Sequence, residues 1–399
     1  MNIKLLNKIS AHGTERFDRK KYVVSDAVEN ADAIMVRSAS MHDMTFDSSL
    51  RAIARAGAGV NNIPVEKCAE KGIVVFNTPG ANANAVKELT VAALLLASRD
   101  IYAGVQWAST LTENVAATVE KGKSKFAGVE LRGKTLGVIG LGAIGVLVAN
   151  AAVSLGAIGG MVANTALELG MKVIGFDPFM SVDAAWRLSS AVEKAVNFDE
   201  IYERSDYITL HVPATKETKG MINSETIAKM KNGVRIVNIA RADLVNEADI
   251  KAAIDQGKVA KYVVDFPTEA TVGVPGIITI PHLGASTEES EDNCAVMAAD
   301  QLIDYLENGN IKNSVNYPTV VLDRGNCSRI CLLHKNIPAM ISSVATKLAG
   351  RGLNIEHMQN ASKGEYAYTV VDVDEKIPDD IVNDCLAIDG MIRVFAINN

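Results

Sequence analysis

The chain has 399 residues, of which 40 are Lys or Arg and 47 Asp or Glu, for a formal net charge of −7; 48% are hydrophobic and 5% aromatic. At about 150 residues per domain, that length argues for two or three domains with sizeable cores, and the composition excludes collagen-like, disordered and disulfide-scaffold classes. An acidic balance without a dense Lys/Arg run speaks against nucleic-acid binding.

The opening MNIKLLNKIS carries Lys4 and Lys8 where a signal peptide needs an apolar core, so a cytoplasmic protein is expected. Ala33–Val36, Ile73–Phe76, Leu136–Ile139, Val173–Ile174, Tyr207–Leu210, Val234–Val237 and Ile277–Ile280 read as buried strands. Helical patterns separate most of them, and this βαβ rhythm predicts an α/β fold with doubly wound parallel sheets. The stretch from Leu136 to Leu167 has no charge, but it breaks at seven glycines. A buried strand followed by a helix is expected there rather than a membrane span. The five cysteines form no CxxC pair, so reduced thiols are expected and no metal site.

Ser286-Thr-Glu-Glu289 has the capping-box pattern and opens a helix with Ala295, Ala299, Leu302 and Leu306 on its apolar face. Gly309 is placed to end it. Asn310 to Asn326 is polar, punctuated by Pro318 and Gly325, and reads as a linker. Beyond it the order becomes βαββαβ: a strand at Arg329–Leu333, a helix at Ala339–Gly350, strands at Leu353–Asn360 and Glu365–Val373, a helix at Pro378–Ile388 and a strand at Met391–Ile397. The expected domains are 1–97 with 286–318, then 98–285, a linker at 319–327, and a small α+β module at 328–399.

The Thr135–Ile139 strand runs into Gly140-Leu-Gly142-Ala143-Ile144-Gly145 and an apolar helix. In that context the three glycines suit a dinucleotide pyrophosphate: a tight turn, a close backbone approach, and helix-on-strand packing beside a helix N-terminus. Asp177, ending Val173-Ile-Gly-Phe-Asp177, is the expected carboxylate for ribose hydroxyls, although a simple turn role before Pro178 is the alternative. No cation follows until Arg187, which favours NAD over NADP. The spacing is unusual, since Asp177 lies 32 residues beyond Gly145 where about 20 is typical. Leu141–Ser154 is followed directly by a near copy, Leu155–Glu168, identical at nine of 14 positions.

With these features in place, further motifs carry a resemblance to the D-isomer-specific 2-hydroxy acid dehydrogenases, in the branch that ends in an ACT regulatory domain. They are Val36-Arg-Ser38, Ala54–Val60, Asn77-Thr-Pro-Gly80, Gly140–Gly145, His211-Val-Pro213, Asn238-Ile-Ala-Arg241, Asp265-Phe-Pro-Thr-Glu269 and Pro281–Thr287. The resemblance implies a flavodoxin-like substrate domain, a Rossmann NAD domain and an ACT domain. It implies NAD-dependent oxidation of 3-phosphoglycerate to 3-phosphohydroxypyruvate, at the entry to serine synthesis. Three alternatives stand: another 2-hydroxy or 2-oxo acid such as 2-oxoglutarate, an NAD-sensing binding protein, or a relative whose cofactor site the repeat has impaired.

The resemblance also assigns residues. His282 would be the general base, Glu269 its orienting carboxylate and Arg241 the clamp on the substrate carboxylate. These chemistries suit an imidazole that titrates near neutrality and a planar guanidinium fork. Cofactor contacts would come from Gly140, Gly142, Ala143, Ile144, Gly145, Asp177, His211, Val212, Pro213, Thr218, Ile239, Ala240, Asp265, Gly284 and Ala285. Substrate contacts would come from Arg37, Ser38, Arg55, Ala58, Gly59 and Arg241, with Arg37 and Arg55 facing a phosphate. His334, Asn336 and Asn354 match positions that bind serine across a dimer interface, and self-association as a dimer or tetramer follows. Each residue also has a structural reading: a helix cap for His282, a surface ion pair for Arg241, a solvated loop for Glu269, a turn for Asp265.

The repeat poses its own question. Only Gly140–Gly145 follows the strand directly, so phosphate binding is expected at the first copy. Fourteen extra helical residues would add about 21 Å, so a break is expected near Gly156 or Gly159-Gly160. The surplus should then fall at the sheet edge opposite the site.

Overall fold

The computed structural model describes the backbone of residues 1–141 and 149–399 and, apart from residues 149–156 and 183, their side chains. The first sheet contains β1 (Asn2–Leu6), β2 (Val23–Ser25), β3 (Ala33–Val36), β4 (Ala52–Arg55) and β5 (Val74–Phe76). It is parallel throughout, in the order β2-β1-β3-β4-β5. The second contains β6 (Thr135–Ile139), β7 (Lys172–Phe176), β8 (Glu193–Lys194), β9 (Tyr207–Leu210), β10 (Val234–Asn238), β11 (Val259–Val264) and β12 (Ile277–Thr279). It too is parallel, ordered β12-β11-β10-β9-β6-β7-β8. Strand order reverses between β6 and β9, which opens a crevice at their carboxyl ends, where ligands of such sheets sit.

Strands covered on both faces need apolar side chains at consecutive positions. Ala33–Val36 and Tyr207–Leu210 are accordingly buried at every residue. β1, β2, β4, β8 and β11 escaped the sequence reading, β2 and β8 because they are only three and two residues long. β1 carries Lys4, β4 is half alanine and β11 carries Lys261, so none presents a continuous large-apolar run.

The third sheet holds β13 (Ser328–Lys335), β14 (Ile355–Lys363), β15 (Tyr366–Val373) and β16 (Met391–Ile397). It is antiparallel, ordered β14-β15-β13-β16, with helices at Met340–Ala349 and Asp379–Leu386. The βαββαβ order is as expected. Ile330, Leu332, Val371 and Val373 point to the core shared with those helices, while Cys331, Leu333, Tyr368 and Val370 join the core of the first sheet beside Phe76, Tyr305 and Tyr317.

That second burial places the domain boundaries differently from the sequence reading. The chain divides into two compact units, residues 1–81 with 291–399, and residues 82–290. The 328–399 module belongs to the first unit, because its sheet is apolar on both faces and one face has no helices of its own. The Ala83–Ser98 helix, expected with the substrate domain, belongs to the second unit, where Val86, Ala93, Leu94 and Ala97 are buried in that unit's core.

Two local expectations are corrected. The long helix after the second sheet runs Glu288–Asn308, and its cap is Thr287, whose Oγ1 accepts from Ser290 N at 3.1 Å, rather than Ser286. Gly309 ends it as expected, with φ +72°. The Ala149–Glu168 helix passes through Gly156 and Gly159-Gly160 without a break. Its end is short: Met171 N donates to Ala166 O at 3.0 Å and β7 begins at Lys172. The described carboxyl end of this helix therefore leaves no surplus at the edge opposite the site. Among the described residues, no helix is long and apolar enough to cross a membrane.

Candidate active site

In the second unit the expected residues gather at the carboxyl ends of neighbouring parallel strands. Gly140 follows β6, Asp177 follows β7, His211-Val212-Pro213 follow β9, Ile239-Ala240-Arg241 follow β10 and Asp265 follows β11. His282, Gly284 and Ala285 lie after β12. Gly142, Ala143, Ile144 and Gly145 lie outside the described residues.

Gly140 has φ +92°, and a Cβ there would overlap the His211 carbonyl, so the turn after β6 admits only glycine. The Asp177 carboxylate accepts from Leu141 N at 2.9 Å and from Phe179 N at 2.9 Å, which fixes it beside that turn. His211 is 1% exposed; its Nε2 meets Thr209 Oγ1 at 3.0 Å, and its Nδ1 has no hydrogen-bond partner among the described residues. Burial pushes its pKa down to about 3, so the ring stays neutral. Thr218 closes the following turn by donating to Pro213 O at 2.5 Å. A glycine-only turn, an adjacent carboxylate and a buried neutral imidazole with an open nitrogen fit a dinucleotide lying along these strand ends.

Asn238 organises the next loop. Fully buried, it accepts from Ala240 N at 3.1 Å and Arg241 N at 3.3 Å, and its Nδ2 donates to Arg241 O at 2.8 Å. Arg241 is thereby fixed at its backbone, and its Nη1 donates to Ala240 O at 2.7 Å. Burial lowers the pKa of its guanidinium, which remains a cation at any physiological pH. Asn238 stood inside a quoted motif, but its role shows only once the loop closes.

Asp265 is 1% exposed, and its side chain makes no ion pair with a Lys or Arg among the described residues. Oδ1 accepts from Leu283 N and Oδ2 from Gly284 N, both at 2.8 Å, while its carbonyl accepts from His282 N at 3.1 Å. Burial raises its pKa and these amide bonds restrain the rise. The carboxylate expected to face the nicotinamide thus spends both oxygens on the loop that carries His282. His282 itself has φ +54°, a left-handed conformation that costs a non-glycine residue about 1–3 kcal/mol. Its ring is exposed and packs on Phe266 with centroids 4.8 Å apart. Asp265 is what holds this strained loop in place.

Glu269 is not brought to His282. It lies exposed in a turn closed by Thr268 and Thr271, where Thr268 N donates to Thr271 Oγ1 at 2.9 Å and Thr268 Oγ1 donates to Glu247 at 2.7 Å. No ion pair between Glu269 and His282 forms.

In the first unit, Arg37 and Ser38 follow β3, Arg55 ends β4, and Ala58 and Gly59 come next. The Arg37 guanidinium is paired with Glu291, a residue the sequence reading did not single out. Arg55 Nε donates to Arg37 O at 3.1 Å, and Asn7 Oδ1 accepts from Ser38 N at 3.1 Å. The Ala58 carbonyl accepts from Asn77 Nδ2 at 2.6 Å. The three expected effector residues do not share one role. His334 is 3% exposed within β13, with Nε2 on Thr369 Oγ1 at 2.9 Å and Nδ1 on Lys335 O at 2.8 Å, which makes it a satisfied core histidine. Asn336 and Asn354 are exposed.

Comparison with known proteins shows what the chain resembles. Residues 151–284 match the family described as D-isomer specific 2-hydroxyacid dehydrogenase, NAD binding domain. The chain is 36% identical over 306 residues to D-3-phosphoglycerate dehydrogenase of Archaeoglobus fulgidus, covering 73% of this chain and 53% of that one. It is 34% identical over 308 residues to the Bacillus subtilis protein of the same name, covering 75% and 54%, and 32% identical over 327 residues to the human one, covering 78% and 56%. The chain thus spans about half the length of these curated relatives. Among solved structures, the cofactor (NAD+)-bound 3-phosphoglycerate dehydrogenase of Entamoeba histolytica superposes with a TM-score of 0.57 at 27% identity, covering 79% of this chain and 98% of that one. D-2-hydroxyisocaproate dehydrogenase, at 20% identity and a TM-score of 0.62, covering 79% and 100%, shares the fold. Residues 151–284 are therefore similar to the NAD binding domain of the D-isomer specific 2-hydroxyacid dehydrogenases, and about three quarters of the chain is similar to part of the D-3-phosphoglycerate dehydrogenases.

Proposed function

We propose that the protein oxidises 3-phospho-D-glycerate to 3-phosphohydroxypyruvate with NAD, the first step of L-serine synthesis. The observation that carries this reading is the buried Asp265 holding a strained His282 at the strand ends that also carry Arg241. NAD, when bound, supplies the hydride acceptor. The substrate loses hydride from C2 and its hydroxyl proton goes to the His282 imidazole, giving the 2-oxo acid, NADH and one proton. Arg241 grips the substrate carboxylate and steadies charge on the C2 oxygen. Glu269 is proposed to orient the imidazole once its turn approaches. Gly140, Asp177 and the His211–Pro213 turn hold the cofactor.

One observation favours a second reading, oxidation or reduction of an unphosphorylated acid. The Arg37 guanidinium, expected to face a phosphate, is paired with Glu291. Turnover with a panel of 2-hydroxy acids, with and without phosphate, decides between them. Preference for 3-phosphoglycerate in kcat/KM is expected; preference for an unphosphorylated acid overturns the first reading.

Self-association is proposed on the exposed apolar side chains Ile101, Tyr102 and Val105 of the Ile101–Ser109 helix. An ACT-type role of the third sheet, with serine as effector, would rest on Asn336 and Asn354 alone, since both His334 nitrogens are engaged. Serine inhibition unchanged in Asn336→Ala removes that proposal.

A further inference from the structure

Each copy of the repeat offers a glycine that could set the helix against β6, Gly145 in the first and Gly159 in the second. In the second copy Ile158, Val162, Ala163 and Ala166 fill the seat on the sheet, each at most 1% exposed. The first copy has the same residue at every corresponding position, Ile144, Val148, Ala149 and Ala152. Apolar patterning is therefore silent about which copy is seated.

Backbone approach is not silent. A Cβ on Gly159 would overlap the carbonyl oxygen of Gly140 and stand 3.3 Å from His211 Cβ, and one on Gly160 would stand 3.0 Å from the Leu141 carbonyl oxygen. The helix backbone at Gly159 thus rests directly on the Gly140 turn, whose other side rests on the His211 carbonyl. Position 160 is glycine in the second copy, whereas its counterpart in the first is Val146, whose Cβ would crowd a carbonyl placed like that of Leu141. Asn164 then ties the helix outward, its Nδ2 donating to Arg187 O and its Oδ1 accepting from Ser189 N, both at 2.9 Å.

We propose that Gly159, and not Gly145, is the positioning residue that sets this helix against the Gly140 turn and so shapes the cofactor edge of the site. The second copy fills the seat with a glycine pair, Gly159-Gly160, whose second member has no glycine counterpart in the first. The Gly140 turn lies at the carboxyl end of the sheet, where the dinucleotide belongs. The affinity part of this proposal rests on the NAD reading above; the packing part does not.

The test compares Gly159→Ala, Gly145→Ala and the double substitution in the full chain, by thermal unfolding without ligand and by NAD titration calorimetry. Ala163→Gly is the control, because it weakens the same helix without touching the Gly140 turn. Gly159→Ala is expected to lower Tm by more than about 5 °C and to weaken NAD binding at least ten-fold. Gly145→Ala is expected to weaken it at least five-fold less, and the double variant to match Gly159→Ala. Ala163→Gly is expected to lower Tm with NAD affinity unchanged. Greater damage from Gly145→Ala overturns the assignment. So does damage seen only in the double variant, which would mean that either copy takes the seat. An equal affinity loss in Ala163→Gly reduces Gly159 to a stability role. A wild-type chain that binds no NAD sinks the functional reading, while the Tm comparison still decides the seat.

Discussion

Two buried aspartates, one in each unit, are satisfied in opposite ways. Asp372 in β15 is fully buried and paired to the equally buried Arg329 of β13, with Nε on Oδ1 at 2.6 Å and Nη2 on Oδ2 at 2.8 Å. Arg329 Nη1 also donates to Asn308 O at 2.7 Å and Leu322 O at 3.0 Å, so the guanidinium locks the third sheet to the end of the long helix. Asp265 has no such partner and is satisfied by backbone amides of the His282 loop. A carboxylate facing a guanidinium is bound by charge and holds structure between elements. A carboxylate facing amides holds one loop conformation, and its hold depends on its own protonation.

The sharpest way to break this contrast is to remove each charge while keeping the shape. Asp372→Asn should cost about 3–5 kcal/mol, because it strands a buried guanidinium. Urea unfolding measures it, and a loss under about 1 kcal/mol would refute the structural role. Asp265→Asn should cost less, about 1–3 kcal/mol, since one backbone amide then faces an amide NH2 instead of an acceptor. Its effect on turnover should be larger than that of Asp372→Asn, because the His282 loop loses its anchor. If the two variants lose turnover in proportion to stability alone, Asp265 is no positioning residue.

Acid titration sharpens the comparison further. Folded His211 stays neutral down to about 3, whereas an unfolded histidine takes its proton near 6.5. Between these values the unfolded state binds more protons, so stability falls with falling pH by up to about 1.4 kcal/mol per unit. His211→Gln should flatten that slope, and an unchanged slope would place the acid lability elsewhere. Asp265 acts with the opposite sign and less strongly. Its folded pKa is raised, so just above the ordinary carboxylate range the folded state holds the extra proton and its contribution improves as pH falls. Wild type minus Asp265→Asn should therefore grow in that window. A difference independent of pH contradicts the raised pKa.

Much of the fold was legible because parallel strands buried on both faces must be apolar at successive positions, and Ala33–Val36, Tyr207–Leu210 and Leu136–Ile139 obey that rule. The strand-end residues Gly140, Asp177, Arg241 and His282 were equally readable, since each ends an apolar run in a recognisable motif. β1 and β4 were missed because a lysine and small alanines blur the same signal.

What the sequence by itself determined is the strands with continuous apolar runs, their parallel rhythm and the position of the candidate residues at their carboxyl ends, because hydrophobic periodicity and motif spacing are local properties. Only the tertiary structure decided how that chemistry is held. His334 turned from ligand to core residue through Thr369, 35 positions away, and Arg37 met Glu291, 254 positions away. The 328–399 module joined the first unit because its sheet had a second apolar face to bury. That the helix backbone rests on the Gly140 turn at Gly159 is likewise a long-range approach of one backbone to another.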